Sequence, residues 1–312
     1  MTATPHPRRA VVVLAAGEGT RMRSATPKVL HEVAGRPMLA HVLDAVGSLA
    51  PEKIVVVVGP EMHSVAEAAA PHPVVEQTER LGTAHAVQAA RPALGELADD
   101  PAAEIVVVYG DTPLLTARTL ENLTARRAEA DAGLAVLGFE TDAPGRYGRL
   151  VRDETGAVTR IVEAHDATPE DLAITVCNAG TLCARAPLLT QTLARVGNHN
   201  AKAEFQLTDV VGLAAQAGEP CALALAEITA VQGVNSRAEL AQAEAAMQAR
   251  LRQRALARGA TLRAPETVFL SHDTELGADV VVEPHVVVGP GVQVDDGAHI
   301  GAFTHLEGVH VG

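Results

Sequence analysis

Aromatic side chains are scarce in this sequence, with no tryptophan, two tyrosines and four phenylalanines among 312 residues. Single-stranded nucleic acids are held largely by stacking on aromatic platforms, and duplexes by a net basic surface. With a formal net charge of −13 the chain offers neither, so nucleic acid is not expected as a partner. Long apolar runs are also lacking. None approaches the ~20 residues of a membrane-crossing helix, which predicts a soluble protein with no membrane partner. Arg8 and Arg9 ahead of the apolar run Ala10 to Leu14 imitate the start of a secretion signal. That run stops before Gly17 and is followed by charges in place of a small-residue cleavage site, so a cytoplasmic location is expected. Cysteine is rare as well. Cys177, Cys183 and Cys221 match neither a disulfide framework nor metal-finger spacing, and read as buried thiols in a reducing compartment. The histidines include no two-turn pair with a glutamate and none at ligand spacing from a cysteine, which argues against zinc.

Against this acidic background one segment is basic. Positions 8 to 36 hold six cations (Arg8, Arg9, Arg21, Arg23, Lys28, Arg36) against Glu18 and Glu32, a local excess of four positive charges. Such focusing suits a small polyanion better than a polymer. Within it lies LAAGEGTRMRSATPKVL, positions 14 to 30. Gly17 and Gly19 let the backbone approach an anion closely, and Arg21, Arg23 and Lys28 supply the opposite charge where a strand opens into a crevice.

The length suggests two domains. In the first half, short β-branched runs (Ala10 to Leu14, Ile54 to Val58, Ile105 to Val108, Leu134 to Leu137) alternate with helical patterns over Met38 to Leu49, Ala84 to Ala90 and Leu115 to Ala130. This alternation predicts an α/β domain with a mostly parallel sheet, whose ligands bind beyond the carboxyl ends of its strands. From Ser236 to Gly259 the composition shifts to alanine, glutamine and arginine without proline. Ser236 and Glu239 form a capping box and Gly259 a terminator, so one long helix is expected, either a connecting arm or the last helix of the first domain. After Pro265 an apolar residue returns every sixth position at Leu270, Leu276, Val282, Val288, Val294, Ile300 and Leu306. Gly277, Gly289 and Gly301 follow alternate members, and Val280, Val286 and Val292 add a second apolar series. A six-residue period predicts a three-sided parallel β-helix, left-handed in proteins sharing this hexapeptide pattern. The array stops at Gly312 without a polar cap, so the β-helix is expected to be incomplete.

Neither GxGxxG nor the Walker A pattern fits the basic loop, because Met22 stands where a third glycine would be and no Gly-Lys-Ser/Thr follows. The loop continues instead through Pro27, Lys28, Val29 and Leu30 to Gly35, Arg36, Pro37 and Met38. In this it resembles the sugar-nucleotide pyrophosphorylases. QTERLGTAHA, YGDTPLL, RYGRL, RIVEAHDAT, CNAG, NHNAKAEFQLTD and GVN follow in order. This series resembles the bacterial bifunctional N-acetylglucosamine-1-phosphate uridyltransferase / glucosamine-1-phosphate acetyltransferase family from about Val11 to the end of the chain.

The resemblance implies a Rossmann-like nucleotidyltransferase (pyrophosphorylase) domain over residues 1–235, a connecting helical arm over 236–259, and the first coils of a left-handed β-helix over 260–312. It implies that Leu14, Ala15, Ala16 and Gly17 line the nucleotide, that Lys28 holds its phosphates, and that Gln77, Gly82 and Thr83 read the uracil. Tyr109, Gly110, Asp111, Gly148, Glu163, Asn178 and Asn235 would bind the sugar phosphate, with Asp111 and Asn235 holding Mg²⁺. The implied partners are UTP and N-acetylglucosamine 1-phosphate, with homotrimers in the family. Acetyl-coenzyme A would serve only the acetyltransferase coils, which this chain is expected to lack. The product supplies peptidoglycan and lipopolysaccharide synthesis in bacteria that contain the family.

Elementary chemistry agrees with these roles. Gln77 presents an acceptor and a donor pair to match the edge of uracil. Asp111 closes an apolar run and is stopped by Pro113; a carboxylate there suits magnesium, which binds through one or two protein oxygens plus substrate phosphates. The other reading of Asp111 is a cap for the helix beginning near Leu114. The nucleophile, a phosphate oxygen, is already anionic, so no general base is needed. Catalysis falls to Mg²⁺, Lys28 and Arg21 through positioning and charge stabilisation, and Arg21 could instead shape the loop. Four residues depart from the family pattern: Glu18 beside the triphosphate loop, Ala179, Ala203 in place of glycine, and Gln206 in place of an aromatic residue. Two other readings stand beside this one, a pyrophosphorylase for another sugar phosphate and a non-catalytic assembly protein that keeps the fold.

Overall fold

Strands with no polar side are stable only where both faces are covered, and the valine runs of the first half meet that condition. The computed structural model describes residues 7–312. Its main sheet has nine strands: β1 (Arg8–Leu14), β2 (Lys53–Val58), β3 (Val74–Glu76), β4 (Ala103–Tyr109), β5 (Leu134–Glu140), β6 (Arg149–Arg152), β7 (Val158–Val162), β8 (Val176–Arg185) and β9 (Cys221–Leu225). The spatial order is β9-β5-β8-β4-β1-β2-β3, with the β6–β7 hairpin joined to β8. β1 lies parallel to β2 and β4, β2 to β3, and β5 to β9. β8 runs antiparallel between β4 and β5. Ala10, Val11, Val12 and Val13 of the central strand are wholly buried. All three cysteines are buried free thiols, and burial pushes the Cys221 thiol up to about 12.

The chain folds as two compact units, one running up to Val29 and from Leu39 to Gly233, the other made of Leu30–Met38 and Val234–Gly312. The sheet belongs to the first. In it the carboxyl ends of β1, β3 and β4 open into loops that hold the phosphate and uracil candidates.

The second unit holds the long helix and the coils. Helix Arg237–Ala257 starts at Ser236, whose hydroxyl accepts the Glu239 N–H at 3.3 Å, and it ends before Gly259 at φ +98°. The helix packs on the coils and is not the last helix of the first unit. Gln248 bonds both polar groups of Leu270, at 2.7 and 2.8 Å, while Leu251 and Ala255 join the coil core. Three parallel ladders make the three-sided β-helix, for example Val281–Val282 on His299–Ile300 and Val287–Val288 on His305–Leu306. In each two-residue strand of the first two coils the second residue points inward and is buried. Val280, Val286 and Val292 are completely enclosed. The ladder begins one strand earlier than the six-residue period shows, at Thr261–Leu262, because the short turn Pro265–Thr267 lengthens the first coil and hides the repeat.

A segment that the motif order assigns to the first domain also belongs here. The hairpin Glu32–Val33/Arg36–Pro37 carries Ala34 at its tip. The Ala34 N–H donates to Glu244 Oε2 at 2.7 Å, and its carbonyl accepts the His272 N–H at 2.9 Å and the Ser271 hydroxyl at 3.2 Å. Gly35 sits at φ +72°, where a Cβ would lie 3.1 Å from Ser271 Oγ and 3.2 Å from Pro290 Cγ.

Candidate active site

The loop after β1 is shaped by its glycines. Ala15 extends the ladder by donating its N–H to Val57 O at 2.8 Å. Gly19 then adopts φ +65°, and a Cβ there would fall 2.5 Å from Lys28 Cβ, so glycine is needed both for the turn and for the lysine stem that crosses it. This brings the Lys28 ammonium onto the Asp111 carboxylate as an ion pair with both side chains nearly nine-tenths buried. Asp111 follows β4, and the neighbouring Gly110 N–H donates to Leu14 O at 2.9 Å, which fixes the two loops side by side. A cation and an oxygen ligand are thus assembled at the carboxyl edge of the sheet from residues 83 positions apart. The capping alternative for Asp111 is overturned, because helix Ala117–Glu129 is capped by Thr116, whose hydroxyl accepts the Thr119 N–H at 3.2 Å.

Beside this pair lies the segment expected to read a base. Gln77 is buried at 4% exposure, and its amide nitrogen donates to Gly82 O at 3.0 Å and lies 3.1 Å from His85 Nδ1. The donor end of the amide is therefore engaged within the protein. Gly82, at φ +121°, passes so close to the Phe205 backbone that any Cβ would overlap it. Ala84 N–H donates to Phe205 O at 2.9 Å and Phe205 N–H to Leu81 O at 2.8 Å. Thr83 opens helix Thr83–Leu94 and accepts the Leu207 N–H at 2.9 Å. Burial, reinforced by the negative charges of Asp111 and Glu163, holds the Tyr109 phenol well above its ordinary value.

The remaining sugar candidates in this unit converge on the β6–β7 hairpin. A Cβ at Gly148 would lie 3.1 Å from Ile161 Cγ2 and 3.6 Å from both Glu163 carboxylate oxygens, so the side chains of Ile161 and Glu163 pack against that glycine. Asn178 N–H donates to Gly148 O at 2.8 Å, and the Asn178 side-chain carbonyl oxygen accepts the Gly180 N–H at 2.9 Å in an irregular stretch of β8. Gly180 at φ +85° abuts the Tyr109 ring, which brings this group beside β4. Glu163 also lines a cavity of about 450 Å³ with Asp166, His199, Asn200, Gln206 and Asp209. Burial, together with neighbouring Glu163 and Asp166, pushes the Asp209 carboxyl up.

Arg21 is placed differently. It is exposed on the short turn Thr20–Met22, outside the Lys28–Asp111 pair. Asn235 belongs to the second unit, where its N–H donates to Glu239 Oε2 at 2.8 Å; its assignment as a metal donor rests on the family resemblance alone. The residues present suit magnesium. No group of three or more His, Cys, Asp or Glu among the described residues could cage a metal, and a hard cation that keeps its waters and substrate phosphates needs only an oxygen such as that of Asp111. Ala203 stands at φ +53°, which explains why a glycine suits that position.

Two contributors were missed from the sequence, although both lie within its recognisable motifs. Arg149 is buried and donates to Tyr147 O and, at 3.2 Å, to Gly145 O, pinning the turn that carries Gly148. Arg80 donates from Nε to Ala16 O at 3.0 Å and from an Nη to Glu18 Oε1 at 2.7 Å. Glu18 is therefore paired and does not simply face solvent. Only the chain reversal that brings the loop after β3 beside the loop after β1 reveals this contact.

Comparison with known proteins places these features. Among solved structures, a UDP-glucose pyrophosphorylase complexed with UDP-glucose superposes with a TM-score of 0.62 over 78% of this chain and 99% of its own, at 15% identity, which shows a common fold. Residues 11–239 match the MobA-like NTP transferase domain and residues 273–308 the bacterial transferase hexapeptide with six repeats. The Bifunctional protein GlmU of Azorhizobium caulinodans is 54% identical over 96% of this chain and 67% of its own length. Those of Rhodospirillum rubrum and Gluconobacter oxydans are 52% and 48% identical, over 97% and 100% of this chain and 67% and 68% of theirs. The chain thus spans about two thirds of these relatives. With a nucleotidyltransferase fold that carries a Lys–Asp pair at its sheet edge, followed by hexapeptide coils, the chain belongs to the GlmU family of bifunctional transferases.

Proposed function

We propose that the chain is a magnesium-dependent uridyltransferase that makes UDP-N-acetylglucosamine and pyrophosphate from UTP and N-acetylglucosamine 1-phosphate. The observation that carries this reading is the convergence of Lys28 and Asp111 beside a glycine loop at the carboxyl edge of the sheet. Residues 1–235 would do this chemistry, with 236–259 as an arm and 260–312 as coils. A phosphate oxygen of the sugar phosphate attacks the α-phosphorus of UTP, and the bond from that phosphorus to the bridging oxygen breaks as pyrophosphate leaves. No proton has to be moved, because the attacking oxygen is already anionic. Bringing two polyanions together and offsetting their charge is the main task.

The backbone of Leu14, Ala15, Ala16 and Gly17 accommodates the nucleotide, and Lys28 exchanges its carboxylate partner for phosphate oxygens. Asp111 would hold magnesium, which would supply charge neutralisation at the triphosphate. Gln77 and Gly82 flank the base; since the Gln77 nitrogen is engaged, its carbonyl oxygen is the group that accepts the imide N–H of uracil. Glu163 and Asn178 take sugar hydroxyls beside Gly148, while Thr83 and Tyr109 stand between base and sugar.

Pyrophosphate release from UTP and N-acetylglucosamine 1-phosphate, with Mg²⁺ or with a chelator and with glucose 1-phosphate as competitor, tests the reading. Metal-dependent release that glucose 1-phosphate scarcely inhibits is expected. Preferential turnover of the competitor would reassign the sugar, and no release with any sugar phosphate would favour a non-catalytic role.

A further inference from the structure

A glutamate beside a triphosphate loop raises an electrostatic difficulty, and the structure shows what answers it. Arg80 reaches back from the loop after β3, with its guanidinium against Gly59, where any Cβ would meet Arg80 Nη2, Nε and Cζ at 2.5 to 3.0 Å. Gly59 thus leaves the lane along which the arginine lies. From there Nε takes the carbonyl of Ala16, one of the residues lining the nucleotide, and an Nη takes Glu18. One side chain therefore holds the loop by its backbone and by its anion at once.

We infer that Arg80 and Glu18 form a clasp that sets the shape and charge of the nucleotide loop, so that Arg80 is a positioning residue for UTP. This rests on the proposed uridyltransferase reading. With the carbonyl of Ala16 turned onto the guanidinium, a carbonyl dipole that would repel phosphate is satisfied elsewhere. With Glu18 neutralised, the local field that favours a polyanion survives despite an acidic residue between the two glycines. The pair is partly exposed, its side chains 35% and 56% accessible, so it adds little to folding stability. Its consequence lies in binding.

The test is a double-substitution cycle on the full chain, reading KM for UTP, KM for sugar phosphate and kcat separately. Wild-type turnover is measured first, so that failure of the uridyltransferase reading shows as absent activity before any variant is compared. Arg80→Ala is expected to raise KM for UTP about tenfold, with a much smaller effect on KM for the sugar phosphate and on the midpoint of thermal unfolding. Adding Glu18→Gln to Arg80→Ala should recover most of that loss, and raising the salt concentration should narrow the difference between Arg80→Ala and wild type. A double variant as impaired as Arg80→Ala would overturn the clasp and make Arg80 a direct phosphate ligand. An unaltered KM for UTP in Arg80→Ala would reduce the pair to surface decoration and equally overturn the proposal.

Discussion

The two units reach order by opposite routes. The coil stack repeats one local rule, an inward residue at the end of each two-residue strand, and each coil buries the same kind of side chain as the one before. In the sheet unit little repeats. Lys28 meets Asp111, Arg80 meets Glu18 and Gly82 meets Phe205, each across a different gap in sequence. The repeating unit is a scaffold whose strand interior is apolar, with Ser271 and Thr274 buried at its turns. In this chain the unlike groups of the candidate site come together outside the repeat, through pairings that no local period encodes.

The sharpest way to break this contrast is to alter the Lys28–Asp111 pair. Lys28→Ala and Asp111→Asn should each lower kcat/KM for pyrophosphate release by about 10²- to 10³-fold, the usual loss when one charge-stabilising group is removed from a transition state. A change below about fivefold in both would move the site elsewhere. In the coils the expected effect is on folding. Val286→Asp places a charge in a fully enclosed position and should cost about 4 kcal/mol or more, whereas Val287→Asp, one residue along and 42% exposed, should cost about 0.5 kcal/mol or less. Similar losses from both in urea unfolding would refute the inward–outward alternation.

Gly82→Ala probes the irregular half by geometry instead of charge. The overlap with Phe205 and the positive φ should cost about 1–3 kcal/mol and raise KM for UTP, whereas Gly156→Ala, positive in φ but open around its Cβ, should affect stability alone. The smallest effect concerns Tyr109. Its folded pKa lies above the ordinary 10.0, so the folded state keeps the proton after the unfolded chain has lost it. Stability is full below pH 10 and falls as pH rises towards the folded value, and Tyr109→Phe should remove that part of the decline. Ultraviolet titration, with Tyr109→Phe identifying the Tyr109 contribution, should show Tyr109 ionising above the ordinary phenol value while the protein stays folded.

Most of the coil stack was readable in advance, since six-residue spacing converts directly into a three-sided ladder. The first coil escaped because the turn at Pro265–Thr267 breaks the count ahead of Leu270. The valine runs likewise announced the sheet, and the motif series singled out Lys28 and Asp111, which the fold brings together. Pairings across the sheet edge were not legible. Nothing local to Glu18 signals an arginine 62 positions later, and nothing local to Gln77 shows that its amide nitrogen is already engaged by Gly82. Nor did the helical pattern at Ser236 decide which unit the helix joins, since the burial of Leu251 and Ala255 depends on coils that lie after it.

The hairpin around Ala34 has a consequence for how the molecule is made. Its tip residue is 4% exposed, and the backbone N–H and C=O there are satisfied by groups 210 and 237 positions downstream. A ribosome delivering this chain from the amino end has therefore long finished the hairpin before it can supply Glu244 or Ser271. Until then the backbone groups of the hairpin tip lack the side chains and coil that satisfy them in the finished fold, so this turn closes only with the last quarter of the translation product.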